Sequence, residues 1–545
     1  MGTKRDRRRT GATLGDVKGA DLLAKLAAAL TPDHPSVTRP PATTSVPAEK
    51  AIADHASREH RQRPPSPPQR SEKKRPSEPI RVKLSAAERL RIFGSSAEPT
   101  NKMQAPPVVA NDFGKAAFSK IAQLRPALSD FLADHRAPED ASSDVADVVI
   151  RRIARCVERF AHIVNPDADG FLGYDFGTSS TKAVIRWPYR ASSPAYAISV
   201  PAGWCSGGEP HIWPSVVFYD PVTQQFSVLP ANGSMRVDGF KAALVEGTAH
   251  RMAPGASVTL LEAAVAFLSL HLAYVLGTID ELDGQVSLVN VAIPVAALDR
   301  DDASVSGRAQ AAFDHAVRSA LRLLHCAHSL TLDNVRAALA SLEDPLLEYE
   351  LHPELSGVIA GYCRGPRHYL GTHMIIDCGS ATLDMATFKL DQSDWPLEIY
   401  AASVELLGSD ASVTYCNAGA TTEDCARAAR YQDYQVCSRS IQLNRTGFSQ
   451  TDGGKLGYQV ILTGGGIANP WIASMLEKWQ LSFERDFVRP RLDPTLKCEM
   501  GFTSERLVLA DGLARDPVDL KRVSLPRRPV AELTFNPNHH DWTSN

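Results

Sequence analysis

The sequence predicts an α/β protein of two lobes, and three segments carry this prediction. Residues 171–185 and 374–388 each consist of an apolar run, a tight turn with Asp and Gly, and a second β-rich run. The two segments are about two hundred residues apart, which is enough chain to build one lobe between them. A third segment, residues 460–476, reads as a buried strand, three glycines and a helix that begins near Pro470.

The first two segments predict β-hairpins whose turns could bind phosphate. Asp175 ends one strand and is followed by Gly177, and Asp377 and Gly379 repeat this pattern. A glycine turn exposes backbone N–H groups that suit phosphate oxygens. An Asp at the strand end can hold a hydrated cation that neutralises those oxygens. One such hairpin could be an ordinary turn, but two facing each other predict a clamp for a nucleoside triphosphate.

The three segments, in this order, resemble the first phosphate loop, second phosphate loop and adenosine loop of the actin, sugar kinase and heat-shock chaperone ATPase superfamily. Further stretches resemble the DnaK-like heat shock protein 70 nucleotide-binding domain: residues 213–218, 290–295, 353–362, 407–410 and 510–514. The resemblance covers residues 170–515, and we expect the protein to lack that family's peptide-binding domain. It implies a duplicated ribonuclease-H-like (actin-like ATPase) two-lobed fold that binds ATP and Mg²⁺.

The resemblance and the chemistry of phosphate binding together assign roles to individual residues. We expect backbone N–H groups in two turns to hold the phosphates: Gly177, Thr178, Ser179, Ser180, Gly379, Ser380, Ala381 and Thr382. Gly464, Gly465 and Gly466 would approach the nucleoside. Asp175 and Asp377 would hold Mg²⁺ and act in catalysis.

Two further catalytic residues are implied by the resemblance alone. Glu354 would position the attacking water, and Lys241 would reach the γ-phosphate. The alternatives are a carboxylate that stabilises a helix start and a surface lysine. Lys182 follows the first hairpin and is left out of catalysis.

Several alternatives stay open at this point. A carbohydrate kinase of the same superfamily and an actin-like filament or scaffold protein are the two other functions, and ATP could be bound without being hydrolysed. Ala426 and Ala429 stand where the DnaK-like family has Glu and Lys on the helix that clamps adenine. Adenine selectivity therefore stays open as well.

The chain divides into five expected regions. They are a disordered basic, Pro-rich tail (1–105), a helical extension (106–168), lobe I (169–375), lobe II with a reduced upper part (376–515) and a C-terminal tail (516–545). The first region carries 21 Lys and Arg against 11 Asp and Glu, and such Pro-rich composition does not order itself. We expect a protein partner to bind through this tail or the helical extension, and neither nucleic acid nor membrane as a partner.

Composition also bears on the compartment. Nine cysteines are scattered without Cys-x-x-Cys spacing, which fits a reducing cytoplasm better than a disulfide or zinc framework. No apolar stretch follows the basic N-terminus, so we expect no secretory signal. Residues 258–279 are very apolar, yet the segment contains Glu262 and His271. We interpret it as a buried helix rather than a membrane span.

Overall fold

The computed structural model describes the chain from residue 108 onward, with gaps. The described residues are 108–124, 141–161, 168–205, 208–294, 306–366, 368–390, 397–443, 459–469, 472–473, 475–476, 486–498, 504–520 and 523–524. The expected basic tail lies outside them. So do most of the expected C-terminal tail and Pro470, where we expected a helix to begin.

The described chain is mixed α/β, as predicted. Up to residue 364 it forms α1 (Val108–Leu124), α2 (Ser143–Ala161), β1 (Gly170–Phe176), β2 (Ser180–Arg186), β3 (Ala195–Ala197), β4 (Trp213–Pro214), β5 (Val217–Asp220), β6 (Gln225–Ser227), β7 (Met235–Val237), α3 (Phe240–Glu246), α4 (Leu260–Glu281), β8 (Val286–Ile293), α5 (Ser306–Arg322), α6 (Leu332–Ala340), β9 (Glu348–Pro353) and α7 (Glu354–Arg364).

The remaining elements begin at residue 371. They are β10 (Gly371–Cys378), β11 (Leu383–Leu390), β12 (Leu397–Glu405), α8 (Ser409–Asn417), α9 (Thr422–Leu443), β13 (Gln459–Thr463), β14 (Asp486–Val488), β15 (Leu496–Lys497), α10 (Val508–Leu513), α11 (Pro517–Leu520) and β16 (Val523–Ser524). Short 3-10 turns lie at Leu324–Ser329, Gly465–Ala468 and Ser504–Arg506.

Two large sheets organise these strands. The first sheet has the order β15-β3-β2-β1-β8-β9, with β4 beside β2, and the second has the order β14-β13-β10-β11-β12-β16. In the first sheet, β1, β2 and β3 are antiparallel neighbours, and β8 and β9 follow parallel to β1. In the second sheet, β10, β11 and β12 are antiparallel neighbours, and β13 and β14 follow parallel to β10. A third, three-stranded sheet has the order β6-β5-β7.

The sheets do not divide the chain where the sequence placed the lobe boundary. A boundary between residues 375 and 376 falls inside β10, all of which belongs to the second sheet. Strand β15 comes late in the chain but pairs with β3 in the first sheet. The boundary was drawn next to the Asp377 motif. That motif lies near the end of β10, so the earlier residues of the same strand were assigned to the other lobe.

Helices α7 and α10 cross at very close range between the two sheets. A methyl group on Gly512 would lie 1.8 Å from the carbonyl oxygen of Gly357, so only glycine fits at the crossing. Helix α10 also touches the first sheet, since a methyl group on Gly173 of β1 would lie 2.1 Å from Ala510 O. Leu509 and Leu513 of α10 share a buried cluster with strands of the second sheet. This helix pair therefore joins the two sheets.

Helix α4 is the apolar segment whose environment the sequence left to be decided. By length and composition it could cross a membrane, but its apolar stretch is entirely buried inside the protein. The side chain of Thr259 accepts a hydrogen bond from Glu262 N, and the Glu262 carboxylate accepts one from Thr259 N, forming a capping box at the helix start. The expected buried helix is present.

Helix α2 packs on α4. Its buried side chains enter the main core of the first-sheet region: Val145, Val149, Ile153 and Cys156. At its edge, Arg152 Nε donates to Glu281 Oε2 at 2.9 Å and Arg155 Nε to Asp280 Oδ2 at 2.6 Å. The apolar face of α2 and the arginines at its edge therefore both contact α4.

Helix α1 packs instead on α9, in the second-sheet region. Ile121 is buried in the core there, and the rings of Phe118 and Tyr431 lie 5.5 Å apart. Lys120 Nζ pairs with Asp424 Oδ2 at 2.7 Å. The two helices of the expected extension thus pack on different parts of the protein.

Candidate functional site

The first hairpin brings a lysine onto the predicted metal-binding aspartate. Asp175 on β1 and Lys182 on β2 face each other directly across the ladder. Lys182 Nζ donates to Asp175 Oδ2 at 2.9 Å, and both side chains are nearly buried. Lys182, which the sequence analysis left out of catalysis, thus contacts a predicted metal-binding residue, because residues paired across a hairpin point to the same face.

The turn of this hairpin, Gly177 to Ser180, is braced on one side by Ser215. Ser215 Oγ donates to Gly177 O at 2.8 Å, and Ser215 N donates to Ser179 O at 3.0 Å. In a trans peptide the N–H points opposite to the preceding carbonyl. The N–H groups of Thr178 and Ser180 therefore point away from the brace, as a phosphate-binding turn requires.

The second hairpin has an aspartate, Asp384, at the position that corresponds to Lys182 of the first hairpin. Asp377 on β10 pairs directly with Asp384 on β11. Burial, with the negative charges of Glu354 and Asp175 nearby, raises the pKa of Asp377 to about 7. Burial and the charges of Glu354 and Asp377 raise the pKa of Asp384 well above its usual range. Asp384 was not among the predicted site residues, although its spacing of seven from Asp377 matches that of Lys182 from Asp175.

The second turn, Gly379 to Thr382, is braced by the start of α8. Backbone N–H groups of Ser409 and Asp410 donate to the carbonyls of Gly379 and Ser380 at 3.0 and 2.9 Å. Ser380 Oγ also donates to Asp410 Oδ2 at 2.6 Å. By the same peptide geometry, the N–H groups of Ser380 and Ala381 point away from α8. The turn thus forms with Ser380 and Ala381 at positions where the resembled family usually has glycines.

The predicted adenosine loop packs directly on the second hairpin. Gly464 has φ +90°, which strongly favours glycine, and a methyl group there would lie 2.3 Å from Asp377 Oδ1. A methyl group on Gly466 would lie 2.7 Å from Gly379 O. Gly464 and Gly466 are therefore needed for close approach of this loop to the second hairpin, and Gly464 lies against the carboxylate of Asp377.

Lys241 on α3 and Glu354 at the start of α7 form a nearly buried ion pair. Lys241 Nζ lies 2.6 Å from Glu354 Oε1, with side-chain exposures of 6% and 12%. Burial alone would lower the pKa of Lys241, but the charges of Glu354, Asp175 and Asp384 raise it overall. Lys241 is thus not a surface lysine, and Glu354 does more than meet a helix dipole.

All four predicted catalytic residues belong to one electrostatic cluster, together with two that were not predicted. Its members are Asp175, Lys182, Lys241, Glu354, Asp377 and Asp384. They come from both large sheets and from two helices. Four carboxyl groups face two ammonium groups, and the pKa of Asp377 and of Asp384 is raised mainly by burial and further by the neighbouring carboxylates.

The cluster does not form a ready-made cage for a metal. Among the described residues, no three His, Cys, Asp or Glu side chains are grouped as metal ligands. Mg²⁺ usually keeps several waters and is held by one or two carboxylates together with substrate phosphates. Asp175 and Asp377 beside two phosphate-type turns fit that manner of binding.

Helix α9, which resembles the adenine-clamping helix, offers no polar group at the two altered positions. Ala429 is fully buried in the core, and Ala426 packs against the same core. Ala429 therefore contacts only protein, whereas Ala426 is partly exposed.

Comparison with known proteins adds nothing to this site. No family model matches the chain, and no curated protein matches it.

Proposed function

We propose that the protein binds Mg²⁺–ATP between two lobes and acts as a nucleotide-dependent switch of the DnaK-like, actin-like ATPase type. One observation carries the proposal. Two hairpin turns, a glycine loop and a shared cluster of carboxylates and lysines come together from segments that are far apart in the chain. Structural ion-pair clusters also shift pKa values, but they have no need of two braced turns beside them.

The strand order supports the fold part of the proposal. Each large sheet contains a three-stranded antiparallel meander followed by two strands parallel to its first strand. The core order is β3-β2-β1-β8-β9 in one sheet and β12-β11-β10-β13-β14 in the other. Two sheets with one topology, joined by the crossing of α7 and α10, fit a duplicated ribonuclease-H-like fold.

The cluster supports roles in phosphoryl transfer, which needs positioning and charge neutralisation above all. The outward N–H groups of the two turns would hold phosphate oxygens. A bound Mg²⁺ would neutralise phosphate charge, and Asp175 and Asp377 would orient its waters. Glu354 would position the attacking water, and its partner Lys241, 2.6 Å away, would reach the γ-phosphate.

Calorimetric titration of the whole protein with Mg²⁺–ATP tests the proposal. We expect binding that requires Mg²⁺ and weakens at least about tenfold in Asp175→Ala. Asp169→Ala is the matched control, because Asp169 pairs with Arg190 on the surface away from the cluster. The proposal fails if the wild type does not bind ATP, or if Asp175→Ala leaves the affinity unchanged.

Three assays separate the switch from the two other functions. Hydrolysis stimulated by unfolded peptide or by a captured partner supports the DnaK-like switch. Phosphate transfer to a sugar panel supports a carbohydrate kinase, and ATP-dependent pelleting supports a filament protein. We further propose a cytoplasmic location with a protein partner on the tail or helical extension. No disulfide joins any of the nine cysteines, all of which lie within the described residues, and this supports a reducing compartment.

A further inference from the structure

A guanidinium group lies against the glycine loop at Gly465, the residue that follows the one in contact with Asp377. A methyl group placed on Gly465 would lie 3.0 Å from both Nε and Nη2 of Arg506. The turn that carries Arg506 is tied to the loop, since the carbonyl of Glu505 accepts from Gly464 N at 3.3 Å and from Thr463 Oγ1 at 3.2 Å. Arg506 is therefore held at the part of the loop expected to approach a nucleoside.

Arg506 is paired with a carboxylate from the other side of the cleft. Its Nη1 donates to Oε1 of Glu209, which lies in the chain between β3 and β4 of the first sheet. Arg506 is 11% exposed and Glu209 33% exposed. The ion pair thus connects the first-sheet region to the glycine loop of the second-sheet region.

Each residue of this ion pair has one polar side-chain atom without a hydrogen-bond partner among the described residues. Nε of Arg506 and Oε2 of Glu209 are buried, and neither has a hydrogen-bond partner within the described part of the chain. Buried donors and acceptors are almost always satisfied by protein, water or ligand. An unpartnered donor and an unpartnered acceptor on the two members of one ion pair match the polar edge of a base or the hydroxyl groups of a ribose.

On α9, the two positions that differ from the DnaK-like family carry no polar group: Ala429 is fully buried in the core, and Ala426 packs against that core. A polar contact to the base or sugar would have to come from other residues.

We infer that Arg506 and Glu209 are the specificity-determining pair that reads the nucleoside end of the ligand. The Nε–H of Arg506 donates to a base or sugar oxygen or nitrogen. Oε2 of Glu209 accepts from a sugar hydroxyl or an exocyclic amine. This inference rests on the proposed function, and it assigns selectivity to residues far from the phosphate turns.

Two ligands that share a phosphate chain test it: Mg²⁺–ATP and Mg²⁺–tripolyphosphate, each titrated calorimetrically into the whole protein. Arg506→Met and Glu209→Gln should each weaken ATP binding at least about tenfold, the effect of losing one charge-assisted hydrogen bond. Tripolyphosphate affinity should not change. Arg489→Met is the matched control. Arg489 pairs with Glu505, the neighbour of Arg506, but its side chain is 62% exposed.

Each remaining outcome decides the matter. ATP affinity that is unchanged in both variants overturns the inference. An equal loss for ATP and tripolyphosphate also overturns it, because the pair would then only hold the two sides of the cleft together. Arg506→Lys keeps the charge but lacks the Nε–H and serves if Arg506→Met does not fold. A wild-type protein that binds neither ligand refutes the proposed function itself.

Discussion

Removing the Lys241 ammonium is the most direct test of how the cluster is held together. In Lys241→Met the side chain keeps its bulk but leaves Glu354 without its partner at 2.6 Å, inside a cluster of four carboxyl groups. Lys241 also lowers the pKa of Asp377 and of Asp384, so both values should rise further in the variant. The substitution therefore destabilises the folded protein even when no nucleotide is present.

The size of the effect follows from the geometry. Two unit charges 2.6 Å apart attract by about 6 kcal/mol at an effective dielectric constant of 20, before desolvation is subtracted. Breaking a buried pair by removing one partner typically costs about 3–5 kcal/mol, because a buried charge is left behind. The midpoint of thermal unfolding should then fall by roughly 4–7 °C, because the unfolding entropy of a domain of this size is about 0.7 kcal/mol/K.

A double-mutant cycle is the assay, with thermal and urea unfolding measured without nucleotide. Lys241→Met and Glu354→Gln should each be costly, whereas the double variant leaves no unpaired charge and should recover at least about 1.5 kcal/mol relative to additivity. Lys115→Met, on the exposed face of α1, is the control for losing a lysine. A coupling energy below about 0.5 kcal/mol between the two substitutions would refute a coupled buried pair.

Two further predictions follow from the same geometry. Gly177→Ala places a methyl group 2.1 Å from Ser180 O and should cost roughly 1–3 kcal/mol, whereas Gly379→Ala meets Thr382 O at an ordinary 3.5 Å and should cost less than about 1 kcal/mol. Burial lowers the pKa of His271 to about 3, so below pH 6.5 the unfolded chain binds a proton that the fold does not. The folded protein therefore becomes less stable as the pH decreases. Between pH 7 and pH 5, His271→Gln should lose about 2 kcal/mol less stability than the wild type.

Both predictions are checked by unfolding measurements on purified protein. Equal losses in Gly177→Ala and Gly379→Ala would contradict the tight first turn. For the histidine, the Tyr174 hydroxyl and His271 Nδ1 lie 2.7 Å apart, and glutamine can keep this hydrogen bond, so the comparison isolates the charge. Parallel loss of stability in wild type and His271→Gln from pH 7 to pH 5 would rule out the neutral buried histidine.

Much of the candidate site could be predicted because its signals are local. A strand, a turn with Asp and Gly, and a second strand need only neighbouring residues, and both hairpins form where expected. Lys182 and Asp384 could also have been found, since each sits seven residues after the hairpin aspartate and so opposite to it. Burial of α4 was readable because it is apolar on nearly every side.

By itself, the sequence determined the α/β class, the two hairpins and the glycine loop, because turn chemistry and strand patterning act over a few residues. Only the tertiary structure decided which distant groups meet. Ser215 braces the first turn, Asp410 braces the second, and Glu209 reaches Arg506 across 297 residues. Such meetings depend on how whole sheets and helices pack, and no local pattern encodes that packing.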